Sequence, residues 1–126
     1  MAIPDYYQPI MPYLVVKDAD AFIKFIKTVF DATEKLIVRN PDDSVMHAEF
    51  TLSNGGTILF GQASEAWAAF PAPMYLVIKN VDELYAKGIA NGSTGNQEPG
   101  ERGYGRSAGF IDQFGNQWWL NWPEHG

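Results

Sequence analysis

The sequence predicts an α+β protein made of two tandem β-α-β-β-β modules, each forming a curved mixed sheet with one helix. Strand-like apolar runs are followed by helical periodicity, and hairpin turns separate the runs after each helix. An eight-residue motif also occurs twice: residues 13–20 (YLVVKDAD) and 75–82 (YLVIKNVD) share five identities at an offset of 62. In a chain of 126 residues, this repeat indicates a duplicated module.

The first module is predicted to span residues 1–70. A β-branched run that starts at Tyr13 predicts a strand, and apolar residues at helical spacing from Phe22 to Phe30 predict a helix. Asp18 or Asp20 can cap this helix by accepting from its free backbone N–H groups. Turn-forming residues then separate three further strands, predicted at 34–39, 45–52 and 57–63.

The second module is predicted to span residues 74–126, after a stiff linker at 71–73 that contains two prolines. It repeats the strand and the helix, which ends at Asn91-Gly92. A sheet with one helix has only one covered face, so the modules are expected to bury their other faces together, as one structural domain, or in a dimer. The remaining strands are predicted within 93–98, where the pattern is weak, and at 104–112 and 117–122.

The composition excludes several classes of function. The net charge is −6 and the pI is near 4.7, which argues against a nucleic-acid partner. The chain has no cysteine, so disulfides, thiolate metal sites and cysteine nucleophiles are excluded. No signal peptide and no membrane-length apolar run are recognised, so we expect a cytoplasmic protein without a membrane partner.

Four short motifs suggest a family when they are taken in order: Pro12-Tyr-Leu-Val-Val, Met46-His-Ala-Glu-Phe, Tyr104-Gly-Arg and Asp112-Gln-Phe-Gly-Asn-Gln-Trp. Together they resemble the vicinal oxygen chelate superfamily, which includes glyoxalases, extradiol dioxygenases, and fosfomycin- and bleomycin-resistance proteins. Within it they look most like the metal-free bleomycin-resistance-like and phosphonate-operon-associated branch. The resemblance implies the glyoxalase/bleomycin-resistance fold and a homodimer.

Enzymes of that superfamily hold a divalent metal with His, Gln or Glu from the first and last strands of each module. The resemblance carries these positions to residues whose side chains cannot bind such a metal. We therefore expect no metal and no other cofactor, and the sequence leans against an enzyme without deciding the matter. The four positions are Met11, Leu59, Pro73 and Trp119.

His47 and Glu49 are the candidate catalytic residues. They are two apart on a predicted strand, so their side chains share one face of the sheet. Three interpretations are open: a solvated or internally satisfied pair, part of the wall of a ligand pocket, or an acid/base or metal pair. His125 is expected to lie in a frayed C-terminal tail.

Aromatic residues and one arginine complete the candidate ligand site. The guanidinium of Arg106 can donate two parallel hydrogen bonds to an anionic group such as a carboxylate or phosphate. The alternative is that Arg106 forms a salt bridge at the sheet edge. Trp119 is expected on a cavity wall, and Trp67 in a loop near a cavity mouth or a dimer seam; a core or interface role is the alternative for both. Asp112 and Asn116 are expected to stabilise a hairpin turn. The full candidate set is Tyr13, His47, Glu49, Trp67, Tyr104, Arg106, Trp119 and Asn121.

Three functions are compatible with these residues. The favoured function is metal-free binding or sequestration of a bulky aromatic or cationic molecule in a cleft between modules or subunits, as in antibiotic-resistance proteins of the bleomycin type. The first alternative is an enzyme of the same superfamily, a glyoxalase-like lyase or isomerase or a dioxygenase, with an atypical site at His47 and Glu49. The second is a non-catalytic structural dimer. The expected partners are a second copy of the chain and a small-molecule ligand.

Overall fold

The computed structural model describes residues 2–123 and confirms the predicted fold class. Two compact units divide between Phe70 and Pro71, and each has the order β-α-β-β-β. None of the helices in the described part of the chain is both long and apolar enough to cross a membrane. The first unit contains β1 (Tyr13–Val16), α1 (Ala19–Phe30), β2 (Thr33–Arg39), β3 (Val45–Thr51) and β4 (Thr57–Gln62); the second contains β5 (Pro73–Val77), α2 (Val81–Ala90), β6 (Thr94–Glu101), β7 (Arg106–Ile111) and β8 (Gln117–Trp122).

Both sheets are mixed and have the same topology. The strand orders are β1-β4-β3-β2 and β5-β8-β7-β6. The first and last strands of each unit run parallel, and the other neighbours are antiparallel. A parallel pair needs a long crossover, which the helix and the intervening hairpin supply.

In the first unit, α1 covers one face of the sheet. Asp18 caps the helix by accepting from the N–H of Ala21 at 3.0 Å, as the sequence predicted. The apolar stripe of α1 packs against alternate residues of the strands, and Phe22 contacts Phe60 edge to face, with ring centroids 4.8 Å apart. Residues of the opposite parity, such as Tyr13, therefore lie on the other face, which has no helix over it.

In the second unit, α2 approaches its sheet very closely. Gly88 lies over Phe110, and a Cβ at residue 88 would be 2.7 Å from the phenyl ring. Trp118 is fully buried in the same core and donates its indole N–H to Asp112 at 2.8 Å. Asp112 also accepts from the backbone N–H groups of Phe114 and Asn116, which confirms the predicted turn-stabilising hydrogen bonds.

Candidate functional site

The helix-free face of the first sheet brings together Tyr13, His47 and Glu49. The Tyr13 hydroxyl lies 3.1 Å from Nδ1 of His47, and Nε2 of His47 lies 2.7 Å from a carboxylate oxygen of Glu49. Tyr13 is on β1 and His47 is on β3, with β4 between them. Gly61 on β4 leaves room for this contact, because a Cβ there would be 3.3 Å from the Tyr13 hydroxyl and 2.7 Å from the backbone oxygen of Met46.

Glu49 is the polar centre of this face. Its side chain is only 2% exposed, and it accepts three hydrogen bonds that offset the loss of water. The hydroxyls of Tyr6 and Tyr7 each donate to it at 2.6 Å, and His47 is the third partner. The segment before β1 therefore crosses the face of the sheet and covers the carboxylate.

These contacts set the ionisation of the cluster. Burial raises the pKa of Glu49, but the hydrogen bonds from Tyr6, Tyr7 and His47 outweigh this effect, so its pKa lies below the usual value. The same hydrogen bonds favour the neutral phenols: Glu49 raises the pKa of Tyr6 to about 12 and also raises that of Tyr7. Burial, followed by the Glu49 charge, raises the pKa of Tyr13. The result is an anionic carboxylate surrounded by neutral hydroxyls.

A pocket of about 920 Å³ opens beside this cluster, within the first unit. Tyr13 belongs both to the pocket wall and to the hydrogen-bonded cluster. Trp67, from the loop after β4, supplies a second aromatic wall and is 70% exposed. The lining residues are Tyr13, Val15, Asn40, Asp42, Ser44, Met46, Gly61, Gln62, Ala63, Ser64 and Trp67.

The polar rim of the pocket comes from the turn between β2 and β3. Asp42 accepts hydrogen bonds from the hydroxyl of Ser44 at 2.6 Å and from its backbone N–H at 3.0 Å. These bonds lower the pKa of Asp42, so its carboxylate is charged at neutral pH. Among the described residues that line the pocket, Asp42 is the only one with a formal charge. The rim is therefore electronegative.

The positions that the resemblance assigns to metal ligands do not suit a metal ion. On the first unit's open face, Leu59 is the register partner of Tyr13, and on the second sheet Trp119 is the register partner of Tyr75. Neither side chain, nor those of Met11 and Pro73, has the oxygen or imidazole donor that a divalent metal requires. Residues 2–123 also contain no cluster of three or more His, Asp or Glu side chains that could hold one.

The other four candidate residues lie in the second unit. Arg106 forms a two-pronged ion pair with Asp82, at 2.9 and 2.7 Å. The pair is a salt bridge, but it joins the inner strand β7 to α2, whereas the alternative given by the sequence was a salt bridge at the sheet edge. Asn121 is buried, and its amide donates to the backbone oxygen of Tyr104 at 3.4 Å. Trp119 is 39% exposed on the open face of the second sheet. His125 lies outside the described residues.

Sequence reasoning found His47 and Glu49 but missed Tyr6 and Tyr7. The hydrogen bond between His47 and Glu49 confirms the prediction that their side chains share one face of the sheet. The two tyrosines precede all regular structure and contact Glu49 from more than 40 residues away along the chain. No periodic pattern marks such a contact, and two adjacent aromatics between prolines are the only local signal.

Comparisons with known proteins agree with this architecture. A family model described as the Glyoxalase/Bleomycin resistance protein/Dioxygenase superfamily matches residues 5–120. An uncharacterised protein of Mycobacterium bovis is 27% identical over 124 residues, covering 89% of this chain and 81% of that protein.

Two solved structures show the same fold at low sequence identity. TioX from Micromonospora sp. ML1 has a TM-score of 0.74 and 18% identity, covering 94% of this chain and 100% of its own. The fosfomycin resistance protein FosX from Listeria monocytogenes has a TM-score of 0.69 and 20% identity, covering 93% and 94%. FosX has also been crystallised with Mn(II) and a sulfate ion.

Proposed function

Because the chain belongs to the glyoxalase/bleomycin resistance protein/dioxygenase superfamily, we propose that it binds a bulky, aromatic, positively charged small molecule in the pocket of its first unit, without a metal ion. The observation that carries this proposal is the composition of the pocket wall. Two aromatic side chains, Tyr13 and Trp67, line a space of about 920 Å³ whose only charged lining residue, among those described, is Asp42.

The aromatic walls favour a flat cation. An aromatic face attracts a positive charge placed within about 6 Å of the ring centre, with about 0.5–2 kcal/mol gained per contact. Trp67 is well exposed, so a ligand that stacks on it removes a large apolar surface from water. The volume lies within the roughly 300–1,000 Å³ range of ordinary small-molecule pockets.

The charge distribution supports the same ligand. Asp42 lies on the rim of the pocket, and its hydrogen bonds from Ser44 keep it ionised. The net charge of −6 adds a longer-range attraction for cations at low salt. An anionic ligand would instead face an uncompensated negative rim.

The absence of suitable donors at the family's metal positions supports binding without a metal. Chemistry that depends on a Lewis acid needs open coordination positions beside strong ligands. Leu59 and Met11 lie where the first unit's ligands would be, and both present apolar side chains. Retention of a ligand requires only shape, stacking and charge, which the pocket supplies.

The test compares ethidium, a bulky aromatic cation, with fluorescein, an anion of similar size. Calorimetric titration should give measurable binding of ethidium and none of fluorescein. Trp67→Ala should weaken ethidium binding about tenfold, which corresponds to about 1.4 kcal/mol. Asp42→Asn should weaken it about two- to fivefold, because an exposed charge pair contributes less than about 1 kcal/mol.

Trp119→Ala is the matched control, since it removes an exposed tryptophan from the other unit. It should leave the ethidium affinity within twofold of the wild type. Equal binding of both dyes would contradict the proposed preference for a cation. A loss of affinity in Trp119→Ala instead of Trp67→Ala would show that this pocket is not the ligand site.

A further inference from the structure

The hydrogen bonds on the open face of the first sheet have a defined direction. Ionised Glu49 can only accept, so Nε2 of His47, at 2.7 Å, must carry the hydrogen. In a neutral imidazole the other nitrogen, Nδ1, then has a free lone pair, and the Tyr13 hydroxyl at 3.1 Å donates to it. The remaining lone pairs of the Tyr13 oxygen are free to accept from a molecule in the pocket that Tyr13 lines.

The three groups in this arrangement can take the roles of the three residues of a catalytic triad. A hydroxyl contacts the substrate space, an imidazole can take the hydroxyl proton, and a buried carboxylate orients the imidazole and stabilises its charged form. Tyr6 donates to one oxygen of the carboxylate, and Tyr7 donates to the oxygen that also contacts His47, so these hydrogen bonds hold the carboxylate in position. The raised pKa of Tyr13 means that the hydroxyl rests protonated and needs His47 in order to act as a base.

The second unit shows that the scaffold does not require this cluster. The β5–β8 and β7–β8 registers place Tyr75, Ser107 and Gly109 where the first unit has Tyr13, His47 and Glu49. The second sheet therefore forms without a buried carboxylate at the equivalent position. Burying a charge has a desolvation cost, and the buried Asp112 of the second unit is used in a hairpin turn, so a buried carboxylate on the open face of the first unit favours a functional role for the cluster.

We propose that Tyr13, His47 and Glu49 form a proton relay that makes the pocket a metal-free acid/base site for an aromatic carbon acid. This inference rests on the proposed function for the location of the ligand, and it adds a reaction. The reaction class is proton abstraction from carbon, which leads to isomerisation when the proton returns to another atom or to elimination when a bond breaks next to the carbanion.

The step balances without a co-reactant. The Tyr13 oxygen takes the substrate proton while its own proton moves to Nδ1 of His47, and the electron pair of the broken C–H bond stays on the substrate. His47 becomes an imidazolium that keeps its Nε2–H on Glu49. Return of the proton from Nδ1 to Tyr13, and from Tyr13 to the product or to water, restores the resting state.

The probe is 5-nitrobenzisoxazole, a flat aromatic carbon acid. When a base removes its ring C–H proton, the electron pair forms a nitrile and the N–O bond breaks, which releases a coloured phenolate. The wild-type protein should give saturable turnover. Tyr13→Phe should lower kcat by roughly a hundredfold with KM changed less than threefold, because the ring remains and only the proton acceptor is lost.

Tyr75→Phe is the internal control, since Tyr75 is the repeat equivalent of Tyr13 on the other sheet. It should retain wild-type kcat. Turnover that is absent in the wild type, or equal in Tyr13→Phe and the wild type, would overturn the relay. Turnover that falls equally in Tyr75→Phe would show that it does not arise at the first unit.

The role of His47 is tested by chemical rescue. The His47 side chain is 27% exposed, so free imidazole can reach the space left by His47→Ala. The variant should lose roughly a hundredfold in kcat, and added imidazole should restore part of it, whereas Tyr13→Phe should not respond. Failure of rescue in a folded His47→Ala variant would contradict the relay. If that variant does not fold, His47→Gln, which keeps a donor toward Glu49, should show the same loss of kcat.

The ethidium titration separates this inference from the proposed function. Ethidium binding without turnover of the benzisoxazole would overturn the relay and leave the binding function intact. Turnover that depends on Tyr13, without ethidium binding, would support the relay and contradict the proposed cationic ligand.

Discussion

At the level of single residues, ionisation of the Tyr6 hydroxyl makes the free energy of unfolding depend on pH in the alkaline range. Its hydrogen bond to Glu49 raises its pKa from 10.0 in the unfolded reference to about 12 in the folded protein. A group with a raised folded pKa contributes stability that is complete below the unfolded pKa and is lost as the pH rises through the folded pKa. The contribution of Tyr6 should therefore disappear between about pH 10 and pH 12.

Urea unfolding measures this effect. The wild type should lose more unfolding free energy between pH 9 and pH 12 than Tyr6→Phe, because the variant lacks one of the two phenols that donate to Glu49. Tyr75→Phe, which removes an exposed phenol in the second unit, should follow the wild-type curve. Identical slopes for the wild type and Tyr6→Phe would mean that this hydrogen bond does not couple to ionisation.

Residue-level prediction succeeded where a site lies on one strand and failed where it depends on distant contacts. The spacing of His47 and Glu49 predicts a common face, because successive strand residues alternate. The sequence also predicts that Asp112 and Asn116 stabilise a turn, since such contacts are local. The two adjacent aromatics between prolines single out Tyr6 and Tyr7, but this local signal does not indicate that their partner is Glu49.

At the level of elements, the fit of α2 on its sheet depends on the lack of a side chain at Gly88. Glycine is normally unfavourable inside a helix, by roughly 1 kcal/mol relative to alanine. Propensity alone therefore predicts that Gly88→Ala is stabilising. The added Cβ would lie 2.7 Å from the buried Phe110 ring, so the structure predicts instead that Gly88→Ala is destabilising.

We expect Gly88→Ala to lower the free energy of unfolding by about 1–3 kcal/mol, the usual cost of overpacking a core. Thermal or urea unfolding followed by circular dichroism measures it. Gly88→Ala combined with Phe110→Leu, which removes the contacted ring atoms, should recover part of the glycine-to-alanine penalty. A variant that is more stable than the wild type would show that the ring moves aside without cost.

Most elements follow from sequence because their signals are strong and local. The strand at Gln117–Trp122 has the predicted bounds, and the hairpin before it has clear turn residues. By contrast, β6 extends to Glu101, beyond the predicted 93–98, and its sequence (TGNQEPGE) contains a proline, two glycines and no apolar residue. Pairing with β7, with two register irregularities, defines this strand better than its own pattern does.

At the level of the whole molecule, family membership does not determine whether a metal is bound. The superfamily scaffold is present in both units, but the positions that would hold a metal carry Met11, Leu59, Pro73 and Trp119. We therefore expect that Mn²⁺, Ni²⁺ or Zn²⁺ will not raise the Tm. A native-state site with a Kd a hundredfold below the metal concentration would add about 2.7 kcal/mol of stability.

Differential scanning fluorimetry with each metal, and with EDTA as the control, measures this prediction. The melting curves should superimpose within error. A rise in Tm that saturates near one equivalent of metal per chain, and that EDTA reverses, would contradict it. The same rise in His47→Ala would place that metal elsewhere than at the His47 and Glu49 pair.

Trp67 and Trp118 differ strongly in burial, and this difference separates their fluorescence. Trp67 is 70% exposed at the pocket, whereas Trp118 is fully enclosed in the second unit and hydrogen-bonded to Asp112. A water-facing indole emits at longer wavelength and is open to iodide, while an enclosed indole emits at shorter wavelength and is shielded. Emission at the blue edge can therefore report unfolding of the second unit, and the part of the red-edge emission that is lost in Trp67→Phe can report occupancy of the pocket.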